Sequence, residues 1–558
     1  MAAAGHYLAA QTAFQILEAG GNAIDAGVAG GIALGVVQSE YVNFAGVAPI
    51  MIYLADRKEI ITISGLGVWP KATSLEFFRK SHNHNIPAGV SRTVVPAAPD
   101  AWITALEKYG TMRFGDVAAA AIRFAKDGFP APALMCEIIT KLESKYRRWP
   151  SNAEIYLPKD RPPEPGELFI QSDLAATIQF MADEEAAARG GRGAGLAAAR
   201  DAFYKGDVAH RIVNYHKENG GWICLEDLSE FRVGIEPPVK ARFRDIEVYS
   251  CGPWCQGPVL SQTLNLIDGM DFENLGHNSP AYIHRLVEAF KLAYADRHHY
   301  YGDPRFVRVP MDGLLSRDYT EHRRRLINPD AACPGMPPAG TPEELGLPNR
   351  AGIPEGTTEK IEEALDTSYI CVVDRQGNLF SATPSDGSAE GPVIPGLGIV
   401  PSTRGAQSWT DPSVPACLEP GKRPRLTPNP AIAIQAGRRF IPFGSPGNDV
   451  QPQAMLQVLL NIFVFGMTPQ EAVEASRFAT FSYPRSSEPH SYSPGLLRME
   501  NRVPEETFHA LRALGHDAKS WPSWDWLAGA VCAIVFDAET HMMEGGSDPR
   551  RPTGIAGW

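Results

Sequence analysis

At 558 residues, 44% apolar and 21% charged, the chain has ordinary globular composition and enough length for two intertwined layers or two domains. A formal charge of −12 argues against a phosphate-binding surface, and so against nucleic acid as a partner. No apolar run is long enough to cross a bilayer, and the opening MAAAGHYLAAQTAFQIL lacks a basic segment ahead of a cleavable apolar one, so no membrane partner is expected. The chain reads as cytoplasmic, or periplasmic if an export signal precedes this sequence.

Tyr7, Ala10, Phe14 and Leu17 recur at helical spacing, Gly20 and Gly21 supply a stop, and a second helix is expected to start near Asn22. PIMIYLA and EIITISG, within residues 49 to 65, read as two strands joined by the polar turn DRK, and helical patterns return around residues 100 to 145. The low-complexity stretch 186 to 200, AAARGGRGAGLAAAR, is expected to be a solvated connection. Residues 327 to 358 are dense in Pro and Gly without any period, and predict a long exposed loop. Beyond it the texture changes. YICVV-DRQGN-LFSAT, AIAI-QAGR-RFIPFG and VCAIVF-DAETH-MMEGG each predict a hairpin, so the last stretch of about 190 residues is sheet-rich, with Thr367 opening its first strand.

Eight scattered cysteines fit reduced thiols better than a disulfide framework, and the close pair Cys251 and Cys255 reads as buried small hydrophobes rather than a metal site. His82, His84, His298 and His299 lack ligand spacing and read as surface or packing residues.

A β-branched residue at a strand start is usually only a strand former. Cleavage before Thr367 would change that, because one residue would then carry a hydroxyl nucleophile and an α-amine that titrates near neutrality and can take the hydroxyl proton. The motifs EAGGNAIDA (from Glu18), VPAAPDAW (from Val95), AYADRHHYYGDP (from Ala293), PGLGIV (from Pro395), PGKRPRLTPNP (from Pro420), GSPG (from Gly444), EAVEASRF (from Glu471) and SDPR (from Ser547) run in one register over almost the whole chain. On these the chain resembles the γ-glutamyltranspeptidase family of N-terminal nucleophile hydrolases.

The resemblance implies an αββα four-layer sandwich, made as one precursor and cut between Asp366 and Thr367 into a large subunit of residues 1–366 and a small one of 367–558. The Pro-rich interval becomes the tail that swings away, and such sandwiches often pair further into a dimer of heterodimers. The resemblance also implies that Ser385 orients the nucleophile and that the backbone N–H groups of Gly447 and Asn448 form the oxyanion hole. It places Thr427 where the family has a substrate-contacting serine. No metal and no organic cofactor is implied.

The departures bear on substrate. The family's carboxylate-binding arginine, before KATS, is replaced near Gly65, and its acidic grip on the substrate ammonium gives way to Arg404 and Gln407. A cation there repels an α-amino acid. An asparagine on the strand after the nucleophile is replaced, at Gly387. Arg404, Gln407, Thr427 and Gly387 are thus the substrate-binding candidates. Arg404 either pairs with a substrate carboxylate or is used in a salt bridge to Asp386 or Asp411. STRGAQSW and FGSPGNDVQPQ look most like the branch with oxamate amidohydrolase and the glutaryl-type cephalosporin acylases. The expected activity is hydrolysis of an amide of a small acidic acyl group through a threonine ester. The alternatives are γ-glutamyl transfer or glutathione hydrolysis, and an unprocessed homologue that only binds or assembles.

Overall fold

The structure is a computed structural model that describes residues 1–342 and 367–558. Asp366 and the second half of the Pro-rich interval lie outside the described residues.

The first helix, α1 (Tyr7–Glu18), stops before Gly20, and Asn22 caps the next, α2 (Ala23–Val37). The Asn22 side chain accepts from the N–H groups of Ile24 and Asp25 at 3.0 Å, while the Asp25 carboxylate accepts from the Asn22 N–H at 3.0 Å. This reciprocal pair satisfies donors that the first turn otherwise leaves open. α2, AIDAGVAGGIALGVV, is apolar on every side and buried throughout, as a helix between two other layers must be. A Cβ on Gly27 would lie 2.1 Å from the Phe380 ring, so the glycine allows the helix to lie directly on the sheet.

In chain order the strands of the two large sheets are β1 (Ala2–Ala4), β2 (Ile50–Leu54), β3 (Glu59–Ile63), β4 (Ile235–Glu236), β5 (Val239–Phe243), β6 (Ile246–Ser250), β7 (Ile370–Val373), β8 (Leu379–Ala382), β9 (Ala431–Gln435), β10 (Arg439–Gly444), β11 (Cys532–Asp537), β12 (Met543–Ser547) and β13 (Gly554–Ala556). The first sheet runs β13-β1-β7-β8-β2-β3-β4 and the second β12-β11-β10-β9-β6-β5, with antiparallel pairing. All three predicted hairpins form, as β7-β8, β9-β10 and β11-β12.

Side-chain alternation makes the four layers. On β7, Cys371 and Val373 face the second sheet and meet Ile432, Ile534 and Phe536, while Ile370 and Val372 face the layer of α1 and α2. On β11, Ala533 and Val535 turn the other way, toward α3 (Gly257–Ile267), α4 (Pro280–Tyr300) and α5 (Gln451–Phe463). Strands β7 and β11 therefore bury both faces, and each fully buried aliphatic side chain contributes about 1.5–3 kcal/mol. The result is the αββα sandwich.

Three local expectations are corrected. Residues 186 to 200 are not a solvated connection: they end one helix, Ser172–Ala187, and build most of another, Arg192–Tyr204, which buries Leu196 and Ala199. Alanine is the best helix former, and its small side chain suits close helix contacts. The described half of the Pro-rich interval is exposed only in part: Asn328, Pro329, Asp330 and Ala331 are exposed, but the chain beyond them packs down. Met336 and Ala339 are buried, Met336 donates its N–H to Tyr492 Oη at 2.7 Å, and Lys291 Nζ donates to the Cys333 carbonyl at 2.6 Å. Thr367 precedes β7 rather than opening it. It forms an isolated antiparallel bridge with Ser385, so both residues sit at the open end of the β7-β8 hairpin.

Ile534 lies at the centre of the inter-sheet core. Ile534→Ala is expected to lower unfolding stability by about 2–5 kcal/mol, read as a shifted denaturant midpoint; a change under about 0.5 kcal/mol, the size of an ordinary surface substitution, would contradict the layer assignment.

Candidate active site

Thr367 is fully buried, and its Oγ1 lies 2.9 Å from Ser385 Oγ. Gln451 Nε2 donates to the same oxygen at 3.4 Å, and Arg551 Nη1 donates to the Thr367 carbonyl at 3.1 Å. Arg551 is itself held over the rings of Tyr41 and Trp526, 4.9 and 5.4 Å from their centroids. Next door, Ser368 Oγ donates to Gln38 Oε1 at 2.6 Å, and Gln38 Nε2 donates to the Gly5 carbonyl at 2.9 Å. The hydroxyl is thus fixed by chain from both ends of the sequence.

Gln451 is the first residue of α5, and a 3-10 turn, Asn448–Val450, extends that helix backward. Gln451 thus brings the N-terminal end of a helix to the hydroxyl, and the dipole of such an end favours developing negative charge. Gly447 has φ 123° and Asn448 φ 48°, both left-handed, a conformation that glycine adopts freely and asparagine tolerates.

This turn is clamped from behind. Gln256 Nε2 donates to the Asn448 carbonyl at 2.7 Å and to the Thr427 carbonyl at 2.9 Å. Arg297 donates to Gln256 Oε1 at 3.0 Å and forms a buried ion pair with Asp449, which also accepts from Ser486 Oγ at 2.6 Å and from the Ser486 N–H at 2.9 Å. Burial alone would raise the Asp449 carboxyl, but Arg297 and the Ser486 bonds outweigh it and hold the group below the usual carboxylate range.

Arg404 sits on the Ser385 side of the nucleophile. It donates through Nη2 to Ser385 Oγ, and its Nε lies 3.0 Å from Asp386 Oδ1. The salt bridge to Asp386 is thus the one formed; Asp411 instead accepts from the Ser413 N–H at 2.9 Å. Gln407 Nε2 donates to Thr427 Oγ1 at 2.8 Å and to Ser487 Oγ at 3.1 Å, so these two substrate candidates bind each other. Gly387, Arg404, Gln407 and Asn448 line one cavity of about 760 Å³, a size suited to a small organic ligand. Thr427 lies behind Gln407 and does not line it.

Five cations, Arg92, Lys145, Arg148, Arg404 and Arg485, line this cavity against four acids, Asp386, Glu390, Asp449 and Glu488. Glu390 is paired with Arg92 at 2.9 Å and Lys145 at 2.8 Å. Burial pushes the Glu488 carboxyl up to about 7, against the opposing pull of Arg92. In a chain of net charge −12, this hollow is locally cationic.

Gly65 lies beside the site, since its carbonyl accepts the Ala48 N–H at 2.8 Å and the adjacent Val47 bridges Ser385. Its φ is +49°, and a Cβ there would fall 1.8 Å from the Ala48 carbonyl oxygen. An arginine at this position would need a different backbone.

Sequence reading gave no role to Gln256, Arg297, Asp449, Gln451 or Arg551, although Arg297 lies in the motif AYADRHHYYGDP and Asp449 and Gln451 in NDVQPQ. It also passed over His284, Glu288 and His516, whose ligand atoms lie within 4.8 Å of one another. Glu288 accepts from Lys291 Nζ at 2.7 Å and the Cys333 N–H at 3.0 Å, and the two imidazoles share a 2.8 Å hydrogen bond. An ammonium and an amide thus occupy the carboxylate that a cation would need. All eight cysteines are free thiols, with Cys251 and Cys255 in a small apolar cluster around Trp254. No helix among the described residues is long and apolar enough to cross a membrane.

Comparison with known proteins agrees with this geometry. The family described as gamma-glutamyltranspeptidase matches residues 9–558. The chain is 30% identical to the glutathione hydrolase-like YwrD proenzyme of Bacillus subtilis, covering 98% of this chain and 96% of that protein. It is 31% identical to the acylase ACY 1 proenzyme of Pseudomonas sp. strain SE83, covering 97% and 90%. It is also 28% identical to the oxamate amidohydrolase proenzyme of Klebsiella pneumoniae, covering 100% and 98%. Among solved structures, cephalosporin acylase from Bacillus halodurans superposes with a TM-score of 0.86 at 27% identity, over 100% of this chain and 95% of that one. With its sheets, its buried threonine and this match over nearly its full length, the chain belongs to the gamma-glutamyltranspeptidase family.

Proposed function

We propose that the protein is an autoprocessing amidohydrolase, with Thr367 as nucleophile, acting on amides of small anionic acyl groups. The observation that carries this reading is the position of Thr367 Oγ1, 2.9 Å from Ser385 Oγ and 3.4 Å from Gln451 Nε2 at the start of α5.

In the precursor, Thr367 Oγ1 attacks the Asp366 carbonyl and the acyl group moves from nitrogen to oxygen. Water then hydrolyses the ester, leaving a free α-amine on Thr367. In turnover that amine takes the hydroxyl proton as Oγ1 attacks the substrate amide, and hands a proton to the leaving amine. The N–H groups of Gly447 and Asn448 receive the oxyanion, each contributing about 3 kcal/mol when preorganised. Water attacks the acyl-threonine ester along the same path and frees the acid.

The locally cationic cavity supports an anionic acyl group, and it is roomy enough for a leaving amine of some size. The pocket is ill suited to a γ-glutamyl group. Gly65 cannot be exchanged for a carboxylate-binding arginine without moving Ala48, and Arg404 lines the cavity where an ammonium would need an acid.

The two products would not separate. β1 and β2 come from the larger piece and β7 and β8 from the smaller, yet they alternate within one sheet. Intact mass spectrometry under denaturing conditions should therefore give two fragments meeting at Asp366 and Thr367, and native conditions a single particle. Thr367→Ala should stay full length and inactive. Uncut wild-type protein, or a cut Thr367→Ala variant, would refute the assignment.

Glu488 gives a pH dependence. Below about 7 its carboxyl is neutral and the cavity keeps its cationic excess; above that it ionises and opposes an anionic acyl group. KM for an anionic anilide should therefore rise as pH passes 7, KM for a neutral one should not, and Glu488→Gln should flatten the difference. An unchanged pH dependence of that KM in Glu488→Gln would contradict the role given to this residue.

A further inference from the structure

Arg404 has two uses open to it, a substrate carboxylate or the nucleophile itself, and its contacts favour the second. We infer that Arg404 is a positioning residue for Thr367, acting through Ser385, and is not a clamp for substrate. This rests on Thr367 being the nucleophile.

The inference follows from donor and acceptor arithmetic. A guanidinium has donors only, so Arg404 Nη2 must give a hydrogen to Ser385 Oγ. A hydroxyl that accepts from a cation has its own O–H polarised, and Thr367 Oγ1 lies within hydrogen-bond reach of it at 2.9 Å. Ser385 is thereby biased to donate to Thr367, which lowers the proton affinity of that oxygen as it loses its hydrogen to the amine. Without Arg404, Ser385 could equally accept from Thr367 and hold the hydroxyl proton in place.

The other end of Arg404 is fixed. Its Nε lies 3.0 Å from Asp386 Oδ1, and Asp386 in turn accepts from Ser402 Oγ at 2.6 Å and Thr403 Oγ1 at 3.3 Å. Asp386 has φ 104°, so its backbone is held in an unusual conformation beside Ser385. The carboxylate already balances the guanidinium charge, which leaves less attraction for a substrate carboxylate, while the Nη2 end remains aimed at Ser385. All of Ser385, Asp386, Ser402 and Arg404 are buried, so this chain of bonds is little screened by solvent.

The test separates the two uses without knowledge of the natural substrate. A neutral alkyl fluorophosphonate labels an activated threonine and carries no carboxylate. Butyryl and glutaryl 4-nitroanilides, in turn, differ in acyl charge. In fully processed enzyme, Arg404→Ala should slow labelling of Thr367 by about 10²-fold, the scale of a misplaced reacting group. It should lower kcat on both anilides by the same factor, whatever shift the lost cavity charge makes in the KM of the glutaryl one. Arg404→Lys should recover part of the loss, and Arg404→Gln, which keeps an N–H donor without the charge, serves if Arg404→Ala does not fold. Adding Arg404→Ala to Ser385→Ala should slow labelling no further, because the route is already cut.

Wild-type labelling rates in Arg404→Ala, with a raised KM for the glutaryl anilide alone, would make Arg404 a clamp and overturn the inference. Full multiplication of the two losses in the double variant would overturn it as well. Wild-type labelling away from Thr367 would instead refute the nucleophile on which it rests.

Discussion

The contact between Thr367 Oγ1 and Ser385 Oγ depends on how the β7-β8 hairpin ends. Thr367 and Ser385 sit as a bridged pair beyond the last regular rungs, and the Val47 bridge closes Ser385 on its other side. A hydroxyl held there lies between Ser385 and Gln451, the first residue of α5. Small changes in the pairing of β7 and β8 would move the nucleophile relative to its oxyanion donors, and a displacement of about 1 Å is enough to cost about 10²-fold in rate. Much of the fold can be understood as the means of preventing that displacement.

Two buried networks do this work. Behind the helix end, Arg297 links Asp449 to Gln256, and Gln256 fixes the carbonyls of Asn448 and Thr427. In front, Arg551 holds the Thr367 carbonyl. Buried ion pairs seldom add net stability over a well-packed apolar alternative, but removing one partner typically costs about 3–5 kcal/mol. Such pairs therefore enforce position more than they stabilise the fold. The same holds for Asp386, Arg404 and Ser385 on the other flank. Both sides of the oxygen are thus governed by groups that cannot relax independently.

The parts legible in the sequence were local. Asn22 with Asp25 forms a capping pair three residues apart, and each hairpin carries its turn between two apolar runs, so a short window contains the whole signal. Ser385, eighteen residues beyond Thr367, follows from the family register and the hairpin together. Gln256, Arg297 and Arg551 reach the site only through long-range packing; the motifs at or beside Arg297 and Arg551 mark the family but not the contact. Residues 186 to 200 misled because a glycine pair and two single glycines punctuate a helix-rich stretch, whereas burial of Leu196 and Ala199 decides the matter in three dimensions. Arg404 was visible as a cation out of place, yet the choice between Asp386, Asp411 and a ligand needed coordinates.

The central claim is that Thr367 carries the acyl group. Brief incubation of processed enzyme with a glutaryl anilide, acid quenching and peptide mass spectrometry would measure it directly. The account predicts the glutaryl mass on the peptide that begins at Thr367, absent from Ser385 and from the rest of the chain. Turnover of the anilide with the adduct on another residue, or with the Thr367 peptide never modified, would contradict it.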